Sequence, residues 1–120
     1  MVEGLRTVVY FVNDVEGAKT WYTGVLNKKP YYDSPYYVGF NVGGFELGLH
    51  PMKAGIMSGE GVIAYWGVPD AHAAFDQLIE KGAQPHDKIQ DVGEGILLGS
   101  VKDPFGNIFG IIQNPNFKMA

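Results

Sequence analysis

The chain has 120 residues, 46% apolar and 18% charged, which is enough for one ordinary domain and too apolar for disorder. Its 9 basic and 13 acidic residues leave a net charge of −4, which argues against a general phosphate-backbone binder. With no cysteine there can be no disulfide, thiolate metal site or cysteine nucleophile. No strictly apolar run is longer than the five residues from Val8 to Val12, far short of the roughly 20 residues of a membrane span. No basic segment followed by an apolar stretch opens the chain, so a cytoplasmic location is expected.

In chain order, the β-branched and aromatic run VVYFV at 8–12 predicts a buried strand that stops at Asn13 and Asp14. Asn13 and Glu16 have the spacing of a capping box. Ala18, Trp21, Tyr22, Val25 and Leu26 then follow the helical period, so a helix is expected over 15–26 with Trp21 and Tyr22 as core anchors. Four tyrosines crowd residues 31–37 around a turn at 33–35. Residues 40–42 and 45–50 flank Gly43 and Gly44, a pair suited to a tight hairpin. Residues 51–61 have no periodicity and read as a linker.

The pattern then restarts. A strand is expected at 63–68, then a helix capped by Asp70 with apolar positions at 71, 74, 75, 78 and 79 and Gly82 as its stop. Residues 83–95 read as a polar connection with room for a short strand. Strands at 96–101 and 108–113 flank the turn DPFGN at 103–107. A shift of 56 residues lays Asp14 on Asp70 and Ala18 on Ala74, and a shift of 64 lays residues 45–47 on 109–111. This repeats a pattern more than a sequence. It predicts two βαβββ modules, 1–55 and 60–120, joined by a Gly-rich linker.

Several features together resemble the vicinal oxygen chelate superfamily, which includes glyoxalase I, bleomycin-resistance proteins and extradiol dioxygenases. They are the opening strand into Asp14, then Ala18, Trp21, Tyr22, Gly24 and Leu26, the helix ending at Lys81, Gly82 and Ala83, and DPFGN before the last strand. The resemblance spans essentially the whole chain. It implies an α+β fold whose curled mixed sheets form a cup, completed in a homodimer. The family's metalloenzymes place four ligands, typically His and Glu, on the first and last strands of each module. Carried onto this sequence, those positions are Thr7, Ile63 (Val62 if shifted by one), Glu46 and Gly110. Only Glu46 is a ligand type, whereas a catalytic metal generally takes three protein ligands and an open position. No metal or cofactor is therefore expected.

With a period of 2, Glu46, Gly48 and His50 share one face of their strand, and Leu47 and Leu49 face the helix. Glu46 inside an apolar cup would have its pKa raised and could act as a base or anchor a polar group, with His50 near the rim. Thr7, Phe11, Tyr37, Tyr65 and Gly110 complete the expected lining, while Tyr10 and Trp66 pack beneath the helices. His72 reads as part of a solvated helix face, and His86 has no ligand spacing to the other histidines. The expectation is a protein that binds a small organic molecule in an aromatic-lined cup, of a sequestration or resistance type. The alternatives are a lyase, isomerase or dioxygenase with reduced metal ligands, metal-free catalysis through Glu46, and a non-catalytic interaction domain.

Overall fold

The computed structural model describes residues 1, 3, 5–52 and 63–116. Most of the expected linker and the alternative position Val62 lie outside the described residues. The chain forms two compact units, Met1–Met57 and Ser58–Ala120. The first contains β1 (Thr7–Val12), α1 (Val15–Leu26), β2 (Tyr32–Ser34), β3 (Tyr37–Val42) and β4 (Phe45–Pro51). The second contains β5 (Ala64–Gly67), α2 (Ala71–Glu80), β6 (Gln84–Asp91), β7 (Leu97–Lys102) and β8 (Ile108–Gln113). Both have the βαβββ order that the sequence pattern predicts.

The sheet of the first unit runs β1-β4-β3-β2, with β1 parallel to β4 and the other pairs antiparallel. One face is sealed by α1: Tyr10, Val12, Val38, Phe40, Leu47 and Leu49 are buried with Ala18 and Tyr22 of the helix. Tyr22 lies 6.1 Å from the Tyr10 ring and 4.8 Å from Trp21. Fully burying a side chain of this size is worth roughly 1.5–3 kcal/mol, so the helix face carries the stability and the opposite face is free to serve a site. The hairpin between β3 and β4 turns at Gly43 and Gly44, with φ of 61° and 91°, a left-handed pair that glycine adopts without strain.

The second unit repeats this as β5-β8-β7-β6, again with one parallel pair, β5 and β8. Phe109, Ile111, Val101, Leu78 and Ala71 form its core, and Trp66 stacks on Phe109 at 5.0 Å. The DPFGN turn is held by Asp103, a buried carboxylate that accepts from the backbone N–H groups of Phe105 (2.9 Å) and Asn107 (2.8 Å).

Two expectations need correction. The N-cap of α1 is Asp14, whose side chain accepts from Gly17 N at 2.9 Å, and not Asn13. This puts it in register with Asp70, which caps α2 through Ala73 N at 3.1 Å. Residues 84–91, expected as a mainly polar connection, form an eight-residue strand. β6 is an edge strand with bulges around Asp87, where Pro85 and a polar composition are tolerated because one side makes no ladder.

Candidate functional site

Side-chain alternation places the candidates of the first unit on the sheet face opposite α1. Thr7 lies directly beside Glu46, Val9 beside Gly48, and Phe11 beside His50. On the other flank of β4, Asn41 pairs with Glu46 and Gly39 with Gly48. Tyr31, just ahead of β2, donates its N–H to Gly39 O at 2.9 Å. Thr7, Phe11, Tyr37, Glu46 and His50 are thus brought together on one sheet face. Tyr31, one of the four tyrosines crowding 31–37, and Asn41 join them, and no sequence signal singles out Asn41.

The centre of this face is the Glu46 carboxylate. It accepts from the Thr7 hydroxyl at 3.0 Å and from the Tyr31 hydroxyl, and Tyr37 lies close enough to act on its charge. Two glycines clear the space. A Cβ on Gly48 would lie 2.7 Å from Cζ of Tyr37, and one on Gly39 would lie 2.8 Å from Oε2 of Glu46. Neither ring nor carboxylate could keep its place above a larger residue. His50 donates from Nδ1 to the Pro51 carbonyl at 2.8 Å, and its ring lies 5.4 Å from Phe11 and 6.4 Å from Tyr37.

This arrangement reverses the expected electrostatics of Glu46. Hydrogen bonding from Tyr31 holds its carboxyl below the ordinary 4.5; the smaller effect of burial opposes this, and Thr7 and Tyr37 add to it. The tyrosines move the other way. Tyr31 is raised by its bond to the carboxylate, and Tyr37 is pushed up to about 12 by burial and then by Glu46. The carboxylate is therefore an anchored anion among neutral phenols. Because its folded pKa is depressed, the stabilisation it contributes is complete above the ordinary carboxyl value and is lost as pH falls through the lower, folded value. Tyr31→Phe removes the largest cause, so carbon-detected NMR of the Glu46 carboxyl should show its midpoint rising toward 4.5. An unchanged midpoint would assign the shift elsewhere.

A depression of about 200 Å3 opens beside this carboxylate, lined by Tyr31, Asn41, Gly44, Phe45 and Glu46. A larger one, about 320 Å3, lies along α1 between Lys19, Thr20, Thr23, Lys29, Pro30 and Asp33. Its Lys19 is already paired with Glu16 at 3.0 Å and Asp33 at 3.2 Å. Size alone favours the second; the convergence of an ionised carboxylate, a phenol and an amide favours the first.

In the second unit, Tyr65 and Gly110 are direct neighbours across β5 and β8. Tyr65, not Ile63, thus stands to Gly110 as Thr7 stands to Glu46. A Cβ on Gly110 would lie 2.7 Å from the Tyr65 ring, 2.8 Å from Ala64 O and 2.9 Å from Ile63. No ligand side chain fits there. Of the positions implied for a metal centre, Thr7 spends its hydroxyl on Glu46, Ile63 and Gly110 offer no donor, Tyr65 in the place expected for Ile63 brings only a phenol, and Glu46 is the single carboxylate. Among the described residues no group of three or more His, Cys, Asp or Glu could hold a metal ion. The residues present do not fit such a centre.

One pairing has no signal in the sequence. His86 Nδ1 lies 2.8 Å from the Ser100 hydroxyl, across β6 and β7. The Asp87 carboxylate faces the same nitrogen at 3.5 Å. An acid–base relay needs the carboxylate on the other ring nitrogen, and Ser100 is 1% exposed. The pair buttresses the bulged β6.

A family model described as Glyoxalase/Bleomycin resistance protein/Dioxygenase superfamily matches residues 4–111. No curated protein sequence matches the chain significantly. Among solved structures, a glyoxalase-related enzyme from Fulvimarina pelagi superposes with a TM-score of 0.81 at 18% identity, covering 99% of this chain and 94% of that one. Lactoylglutathione lyase from Agrobacterium tumefaciens gives 0.75 at 14% identity, covering 98% and 100%. A glyoxalase/bleomycin resistance protein from Albidiferax ferrireducens gives 0.73 at 19%, covering 92% and 98%. At these identities the likeness is one of fold, which hosts many chemistries. Among the described residues no helix is long and apolar enough to cross a membrane.

Proposed function

This chain belongs to the glyoxalase/bleomycin resistance protein/dioxygenase superfamily, and within it we propose a protein that binds a small organic molecule without a catalytic metal. The ligand lies on the open face of the β1-β4-β3-β2 sheet, and sequestration or resistance is the use. One observation carries this reading: an ionised carboxylate held by two hydroxyls among tyrosine rings, which Gly39 and Gly48 allow to lie close against the sheet. Preset polar groups in an aromatic setting give a ligand its orientation. The lining extends to Phe11, Tyr37 and His50 in this unit.

Metal-free catalysis through Glu46 is the weaker alternative. A general base works best with a pKa near the operating pH, and the hydrogen bonds on Glu46 move it in the opposite direction. A lyase activity, such as the Agrobacterium relative's name states for that protein, would need a proton acceptor other than Glu46. The reading includes a cytoplasmic homodimer, for which the exposed Val8 of β1 supplies apolar surface that a second copy would cover. Screening the purified protein against a library of aromatic and antibiotic compounds tests the proposal. Ligands found this way should weaken about tenfold on Glu46→Gln, the loss of one charge-assisted hydrogen bond, with the thermal midpoint little changed. Ligands indifferent to Glu46→Gln, bound elsewhere on the molecule, would contradict it.

A further inference from the structure

The groups on the open face are nearly all hydrogen-bond acceptors, and that decides what charge a ligand can bring. Thr7 and Tyr31 each have a single hydroxyl proton and each gives it to Glu46. Toward a ligand their oxygens therefore present lone pairs. An ionised carboxylate has about four acceptor positions, so the two hydroxyls leave Glu46 able to take another donor. His50 obeys the same arithmetic. The Pro51 carbonyl can only accept, so the imidazole proton sits on Nδ1 and the neutral ring presents a lone pair at Nε2.

No lysine or arginine lines the depression beside Glu46. The Asn41 carbonyl oxygen is occupied by Gly44 N at 3.0 Å, which leaves its amide NH2 as the donor group there. Tyr31 and Tyr32 are 63% and 52% exposed, and the negative face of an aromatic ring attracts cations.

We propose that the ligand of this face is a small organic cation, a protonated amine on an aromatic body, with its N–H groups on Glu46 and its body against the tyrosines. This rests on the binding reading above and adds the charge of the ligand. A neutral donor would meet the same acceptors without the charge attraction, and an anion would meet like charge and lone pairs. The depressed carboxyl pKa keeps the anion in place throughout the neutral range.

The test uses four soluble probes on the full chain, followed by amide chemical-shift changes: benzylamine, benzyl alcohol, benzoate and Nα-acetyl-lysine amide. Benzylammonium should bind about tenfold tighter than benzyl alcohol, shift residues of β1, β3 and β4, and weaken several-fold as salt rises while the alcohol does not. Benzoate should bind least. Glu46→Gln should bring the amine and the alcohol to near-equal affinity, and the salt dependence distinguishes the two ligands in the same way if that variant folds poorly. Equal binding of amine and alcohol, or tighter binding of benzoate, overturns the cation assignment while leaving a small-molecule site on this face. Lysine amide binding as tightly as benzylamine overturns the aromatic body and points to a protein side chain. If no probe perturbs β1, β3 or β4, the cation and the binding reading both fail.

Discussion

Replacing Gly110 by glutamate is expected to destabilise the second unit by at least about 1–3 kcal/mol, the usual cost of overpacking, and to recruit no divalent metal. By pattern Gly110 stands where Glu46 stands in the first unit, so the substitution looks like the restoration of a missing ligand. The space is already filled. The first carbon of any side chain there would press on the Tyr65 ring and Ile63, which could adjust, and on Ala64 O, which is backbone in the parallel β5–β8 ladder and could not. Urea unfolding followed by circular dichroism would measure the loss, and a zinc titration of the folded variant would measure recruitment. A variant as stable as the parent that binds zinc stoichiometrically would show that β5 yields and that the donor set is repairable.

Gly48→Ala has the second large effect, and here the consequence falls on the site. The added methyl group would collide with Tyr37 at Cζ and Cε1, 2.7 and 2.8 Å away. The ring must swing off the sheet, carrying its hydroxyl away from Glu46 and its edge from His50. A stability loss of about 1–3 kcal/mol is expected, with ligand affinity falling as the Tyr37 ring leaves the lining. The Glu46 carboxyl should also titrate closer to its ordinary range. Gly24→Ala provides the control, because nothing lies within 4 Å of a Cβ there on α1 and a helix-interior alanine gains about 0.5–1 kcal/mol over glycine. If both variants behave alike, Gly48 does not cradle Tyr37.

Much of this architecture is legible in the sequence because its signals are local. The period of Ala18, Tyr22 and Val25, the Gly43–Gly44 turn and the DPFGN run each define an element within a few residues. Asn13 and Asp14 are both good caps, so spacing alone cannot choose between them. β6 is hidden because an edge strand with bulges needs neither alternation nor the absence of proline. On β4, alternation suffices to put Glu46 and His50 on one face and Leu47 and Leu49 on the other.

The chemistry of Glu46 is less legible. Its environment is set by Thr7, Tyr31 and Tyr37, which lie 39, 15 and 9 residues away in sequence and meet only through the parallel and antiparallel pairings of the sheet. An apolar cup suggests a raised pKa, but hydrogen bonding, that from Tyr31 above all, outweighs desolvation and lowers it. Likewise, Ser100 and His86 meet only because β6 exists as a strand.

Whether Glu46 anchors an organic ligand or ligates a catalytic metal is decided most directly by native mass spectrometry of protein purified without chelators, paired with elemental analysis. The expected result is divalent metal far below stoichiometry, together with retained organic adducts that disappear on Glu46→Gln. A stoichiometric divalent metal that is present in the parent and lost on Glu46→Gln would overturn the assignment of Glu46 as a ligand anchor.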